Sequence, residues 1–504
     1  MAQRVAIVVI HGIGEQVPMA TLSGFIEAVW TTDLTLVPPG KPHPETGDGA
    51  RTYNAAWYKP DPRTRNFDLR LITTERYETA AGARKRADFF EFYWAHRVTG
   101  TQFDTVKAWI FGLMLRNPFT RVPPPLRSAW AVMWLLLAGF LAAGWAANRW
   151  LGGDWMAAVS LAYAAASAWV IGKLNDVVGD VVRYVDPSPG NIKTRQDIRE
   201  DGVRLLETLM GIDEEGVARG SEYDRVLVVG HSLGTIVGYD IINHAFGRLN
   251  LTFDRDRLAM TEQTNTAALE TLVREAWAAG KPLDLERYRT LQDAARRELN
   301  RAGNPWIVSD FISIGSPLTH AEFLMAEDRK HLAALKARRV YPSCPPQLEY
   351  HSAPPHYHFT YEAKRAFPRP GASLTGKRVP HHAAAFAFTC WTNIYSPLRG
   401  ILGGDIVSGP VCEPFGLTVR PHKQGEPAPA CDSLYGIKDV AVLPSQEGTV
   451  EDRRKRFLTH LKYWDLKVAA GARGDAPPMH IQVLREALDL KEGTPASPGA
   501  GDAP

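Results

Sequence analysis

Ser232 lies between two glycines in Gly230-His231-Ser232-Leu233-Gly234. G-x-S-x-G is the spacing of a turn tight enough to lift a serine hydroxyl clear of the backbone. A hydroxyl is a poor nucleophile near neutral pH. It needs an imidazole to take its proton and a carboxylate to hold that imidazole in one tautomer. Attack on a carbonyl carbon also creates an oxyanion, which backbone amides must meet. The amide of Leu233, at the start of a helix, is one candidate donor. The chain has 15 histidines to supply the base. His11 and His231 adjoin glycine turns, His351, His356, His358, His381 and His382 lie in proline-rich loops, and His460 comes late. A metal site built from the loop histidines finds no His-x-x-x-His helix to support it. Cys344, Cys390, Cys412 and Cys431 form no C-x-x-C, so reduced thiols, no metal and no cofactor are expected.

The elements that would position this serine are legible on either side of it. Val226–Val229 is a continuous apolar run, the pattern of a strand buried on both faces in a parallel sheet, and Thr235–Ile242 has helical spacing. A Cβ at Gly230 or Gly234 would collide with the neighbouring strand or helix. The bland alternative is an ordinary strand-to-helix turn with Ser232 as N-cap. Arg4–Ile10 is a second apolar strand, ending in His11-Gly12-Ile13-Gly14-Glu15-Gln16 before a helix over Met19–Trp30. A dinucleotide fingerprint would need a third glycine where Val17 stands. A loop presenting an amide to the nucleophile fits better, and losing one such donor typically costs ~2.7–4 kcal/mol of transition-state stabilisation. Further strands are expected at Asp88–Ala95, Trp306–Ile314 and Phe386–Tyr395, with an outer pair at Thr52–Tyr58 and Phe67–Thr73. The pattern is α/β with a mostly parallel sheet flanked by helices.

Composition bounds the rest. The 504 residues are 45% hydrophobic and 22% charged, which is a globular balance with ample core. A net charge of +3, with no basic run interleaved with aromatics, argues against nucleic acid as a partner. The N-terminus reads as a first strand and not as a signal peptide. Two uncharged runs, 128–147 and 155–172, interrupt the α/β rhythm. The first has the ~20 residues needed to cross a hydrocarbon core, and the second is near the short end of that range. Tryptophans collect at their ends, small residues recur every four positions, and basic residues lie outside the pair, so a transmembrane hairpin with both outer ends in the cytoplasm is expected. The expected division is 1–104 for the first part of the catalytic domain and 105–185 for a membrane-associated insert. Residues 186–490 form the second part, including a lid-like helical insert at 261–301, and 491–504 is a disordered tail.

H-G-I-G-E after the first strand, G-H-S-L-G, I-G-S-P-L and W-T-N-I-Y-S-P-L with an aspartate shortly after together resemble the α/β-hydrolase serine lipases and esterases. With T-H-L-K-Y-W around His460, the similarity touches five segments in about half of the chain and leaves out the uncharged runs, the 261–301 insert and the tail. The resemblance implies an α/β-hydrolase-like sheet with Ser232 as nucleophile, Asp405 as acid and His460 as base. The amides of Leu233 and Ile13 would form the oxyanion hole, Gly12 and Gly14 would shape its loop, and Gly230 and Gly234 would shape the elbow. Asp310 and Glu322 rival Asp405, with Asp432 and Asp439 as weaker candidates; His381 and His382 rival His460. The reading is a membrane-anchored serine hydrolase facing the cytoplasm and acting on a lipid or lipophilic ester, with the bilayer as partner. A thioesterase or amidase would use the same three residues, and a scaffold that kept the fold but lost catalysis is the alternative from another class.

Overall fold

The computed structural model describes residues 3–12, 17–37, 41–61, 63, 68–80, 82–98, scattered positions between 112 and 149, 184–185, 189–349, 358–363, 373–397, 404–418, 433–442, 459–466 and 478–491. Among these, the strands in chain order are β1 (Gln3–Ile10), β2 (Ala56–Pro60), β3 (Arg70–Thr74), β4 (Tyr77–Glu78), β5 (Arg84–Phe92), β6 (Arg225–His231) and β7 (Val308–Ile314). They continue with β8 (Thr360–Glu362), β9 (Arg378–Pro380), β10 (Cys390–Tyr395), β11 (Leu417–Thr418), β12 (Ser433–Leu434) and β13 (Ile437–Ala441). Nine form one sheet in the order β13-β10-β7-β6-β1-β5-β3-β2, with β4 alongside β5. From β13 to β5 every pairing is parallel, whereas β2, β3 and β4 run antiparallel at one edge. The sheet is therefore mixed.

Alternation along β1 shows why its sequence is apolar throughout. Ala6, Val8 and Ile10 enter one core, and Val5, Ile7 and Val9 enter the other. Helices Pro189–Leu209 and Leu233–Leu249 cover the first face; Ala20–Ile26 and Met479–Leu488 cover the second. Asp240, in the middle of Leu233–Leu249, is buried and accepts from the Tyr184 hydroxyl and the Arg199 guanidinium, so its charge has a partner. At the start of β6, Arg225 donates to the carbonyls of Leu488 and Asp489, which clasps the late helix Met479–Leu488 to the strand before the serine.

Three expectations are corrected. Among the described residues no helix is long and apolar enough to cross a membrane. The run 128–147 is described only in part, and 155–172 lies outside the described residues. The lack of charge over ~20 residues meets the length condition for spanning but does not by itself make a continuous apolar helix. The transmembrane hairpin is therefore withdrawn from the described α/β architecture. Second, the insert at 261–301 is not lid-like. Its helices Thr264–Ala279 and Leu285–Arg301 bury Leu269, Val273, Tyr288, Ala295 and Leu299 in the first core. Gln292 and Tyr288 donate to the carbonyl of Phe386, tying the pair to the segment that leads into β10. Third, β13 extends the sheet beyond Phe386–Tyr395, the last strand the sequence predicts.

Candidate active site

The three expected residues meet at the carboxyl ends of the parallel strands, where open α/β sheets hold their ligands. Ser232 follows β6 directly with φ 53 and ψ −128, a left-handed backbone that a side chain tolerates only under strain. The turn is crowded enough to explain both flanking glycines. A Cβ on Gly230 would lie 2.7 Å from the Gly234 carbonyl oxygen, and one on Gly234 would lie 2.4 Å from the carbonyl oxygens of Ile10 and His11. The Ser232 amide donates to the Ile314 carbonyl (3.0 Å), and Thr235 Oγ1 donates to the Ser232 carbonyl (2.7 Å), so the turn is held from both sides.

His460 Nε2 lies 2.8 Å from Ser232 Oγ, and its Nδ1 lies 2.9 Å from Asp405 Oδ2. The tautomer that fits carries its proton on Nδ1, donates to the carboxylate and accepts from the serine hydroxyl. Asp405 is 2% exposed, and its Oδ1 accepts from the Val407 amide (2.9 Å). Burial by itself would raise its pKa. The hydrogen bond and charge of His460, with the Ser408 and Tyr463 hydroxyls, outweigh burial and hold the carboxyl below its usual range. Gly315, from I-G-S-P-L at the end of β7, passes under the imidazole with φ 59. A Cβ there would lie 2.9 Å from the Tyr463 ring and 3.3 Å from His460 Nδ1.

The loop that carries Asp405 is braced by side chains for which the sequence predicts no such contact. Asn393, in W-T-N-I-Y, donates to the Gly409 carbonyl (3.0 Å) and to Asp439 Oδ1 (2.7 Å). Asp439 also accepts from the Val411 and Cys412 amides, so it is structural and not a rival acid. From the turn after β7, Thr319 donates to the Pro410 carbonyl and His320 to the Ile406 carbonyl. No family model matches this chain, nor does any curated protein or solved structure. The site is therefore read from its own geometry.

His231, beside Ser232, turns away from it and donates through Nε2 to the His460 carbonyl (2.8 Å). Burial first, then the neighbouring His460, lowers its pKa to about 3, so this ring is a neutral prop. His11 likewise falls to about 4 through burial; it stacks on Trp94 and donates to the Gly12 carbonyl (2.9 Å). Gly12 itself touches the serine, since a Cβ there would sit 2.8 Å from Ser232 Cβ. Leu233 opens the helix that follows the elbow. Ile13 and Gly14 lie outside the described residues.

The rivals are placed elsewhere. Asp310 Oδ2 accepts from Ser309 Oγ (2.6 Å) and lies 3.8 Å from Arg225, toward the opposite end of the sheet. Glu322 is half-buried, and burial raises its pKa. His381 donates to the Gln347 carbonyl (2.9 Å) and is pushed down to about 3 by burial, and His382 is exposed. Asp432 lies outside the described residues. Tyr463 was not singled out from sequence. Its hydroxyl donates to Asp405 Oδ2 (2.8 Å), and an aromatic three residues after a histidine carries no signal of that contact. Among the described residues no group of histidine, cysteine and carboxylate side chains could hold a metal ion.

Proposed function

We propose that the chain is a serine hydrolase that cleaves a carboxylic ester through an acyl-enzyme. The observation that carries this reading is the unbroken hydrogen-bonded line from Ser232 Oγ through His460 to Asp405, drawn from three separate loops and resting on a strained serine. Ser232 Oγ attacks the carbonyl carbon as its proton passes to His460 Nε2. Asp405 stabilises the imidazolium that results, and the Leu233 amide at the helix start faces the oxyanion. The C–O bond to the alcohol then breaks, and the leaving alcohol takes the proton from His460. Water, activated by the same imidazole, adds to the acyl carbon and releases the acid and free Ser232. Labelling with a fluorophosphonate tests the reading. The expected result is one adduct on Ser232, lost in Ser232→Ala, with hydrolysis of p-nitrophenyl esters lost in parallel. A folded wild-type chain that neither labels nor turns over any ester overturns it.

A further inference from the structure

Asp405 Oδ2 receives two donors: His460 Nδ1–H at 2.9 Å and the Tyr463 hydroxyl at 2.8 Å. The Tyr463 oxygen is held in turn by the Ser396 amide (2.9 Å) and the Ser408 hydroxyl (2.9 Å). Burial, and then the adjacent Asp405 carboxylate, hold the phenol proton on far above neutral pH, so Tyr463 is a permanent donor. Its ring is buried in the second core, edge-on to His231 and against Gly315, so the hydroxyl cannot swing away from the carboxylate.

We propose that Tyr463 is a positioning residue that sets the proton affinity of the Asp405–His460 pair by sharing the carboxylate oxygen that faces the imidazole. The inference rests on the hydrolase reading above and deepens it. A hydrogen bond donated to a carboxylate stabilises its charge and leaves less of that charge to stabilise an imidazolium. Removing the Tyr463 hydroxyl should therefore raise the proton affinity of the coupled Asp405–His460 pair and move its base-competent form toward higher pH. The two received hydrogen bonds strengthen the donation, because a hydroxyl that accepts is a better donor.

Other titratable groups lie around the imidazole, and Tyr463→Phe alters none of them. His231, from the end of β6, has a pKa of about 3 through burial and the nearby His460. His320, from the turn after β7, is also lowered by burial. Asp405 is held ionised as described above. Lys462 and Asp465 share the short segment that carries His460, and both are unchanged in the test.

The test compares the full chain with Tyr463→Phe, which keeps the ring and removes only the oxygen. The acid limb of kcat/KM against pH, measured with a p-nitrophenyl ester, should move up by about one pH unit, with KM unchanged. The ring-nitrogen NMR titration of His460, assigned by loss of its signals in His460→Gln, should show the same shift without any turnover. A lower rate with an unmoved acid limb and an unmoved titration overturns the proposal and leaves Tyr463 a structural residue. A shifted titration in a wild-type chain that hydrolyses nothing sinks the hydrolase reading but not the coupling. If Tyr463→Phe does not fold, 3-fluorotyrosine installed at position 463, a stronger donor of nearly the same shape, should move the acid limb and the titration down, and no shift with it overturns the proposal.

Discussion

Strain at Ser232 can be measured by comparing Ser232→Ala with Ser232→Gly. Both variants lose the hydroxyl and its 2.8 Å hydrogen bond to His460, so the difference between them isolates the backbone. Alanine must still occupy φ 53, ψ −128, whereas glycine enters that region freely. A residue held there costs ~1–3 kcal/mol, and glycine at an unstrained site costs ~0.4–1 kcal/mol through the greater freedom of its unfolded chain. The net expectation is that Ser232→Gly is the more stable variant by about 1 kcal/mol, within a range of ~0–2.5 kcal/mol. Urea unfolding followed by tryptophan fluorescence reads this as a higher midpoint at equal slope. If alanine proves more stable than glycine by ~0.4–1 kcal/mol, the ordinary helix and loop result, then no strain is stored at the serine and the elbow argument fails.

Gly234→Ala should be far more disruptive than a surface glycine change. Its Cβ would meet the Ile10 and His11 carbonyl oxygens at 2.4 Å, and Ile10 belongs to a strand paired on both sides. Neither oxygen can retreat, so a loss at or above the upper end of the ~1–3 kcal/mol overpacking range is expected, with fluorophosphonate labelling abolished. An unchanged midpoint with full labelling contradicts the turn geometry. Glu91 makes a pH prediction. It is buried, its Oε1 has no hydrogen-bond partner among the described residues, and although the Met19 amide opposes the shift, burial raises its pKa from 4.5 to about 7. Between those values the folded chain keeps a proton that the unfolded chain has lost, so stability falls as pH rises through the window, by roughly 3 kcal/mol in all. Glu91→Gln should flatten the stability profile between pH 5 and 8, and an unaltered slope refutes the assignment.

The strand–turn–helix around Ser232 was readable because steric exclusion acts on adjacent residues and leaves glycines at set spacings. Asp405 and His460 were readable only through motif order, since nothing in a local window says which loop folds back onto a serine 228 positions before His460. The props were not readable. Tyr463, Asn393 and Asp439 owe their roles to contacts across separate loops, and their types are as common in ordinary turns. β13 escaped because I-K-D-V-A is a short edge strand in which two charges interrupt the apolar pattern. The uncharged runs misled because lack of charge, tryptophans at the ends, small residues every four positions and basic flanks permit a spanning helix without requiring one. The helical insert misled because its charged outer face hid the buried Tyr288, Ala295 and Leu299.

The clasp between Arg225 and the carbonyls of Leu488 and Asp489 has a consequence for biosynthesis. Ser232 emerges from the ribosome more than two hundred residues ahead of the His460 ring to which it is hydrogen-bonded, and the helix Met479–Leu488, clasped to the start of β6, emerges after both. Throughout that interval the growing polypeptide holds Ser232 without its ring partner. On the hydrolase reading proposed above, partial products that stop short of His460 carry the serine without its base.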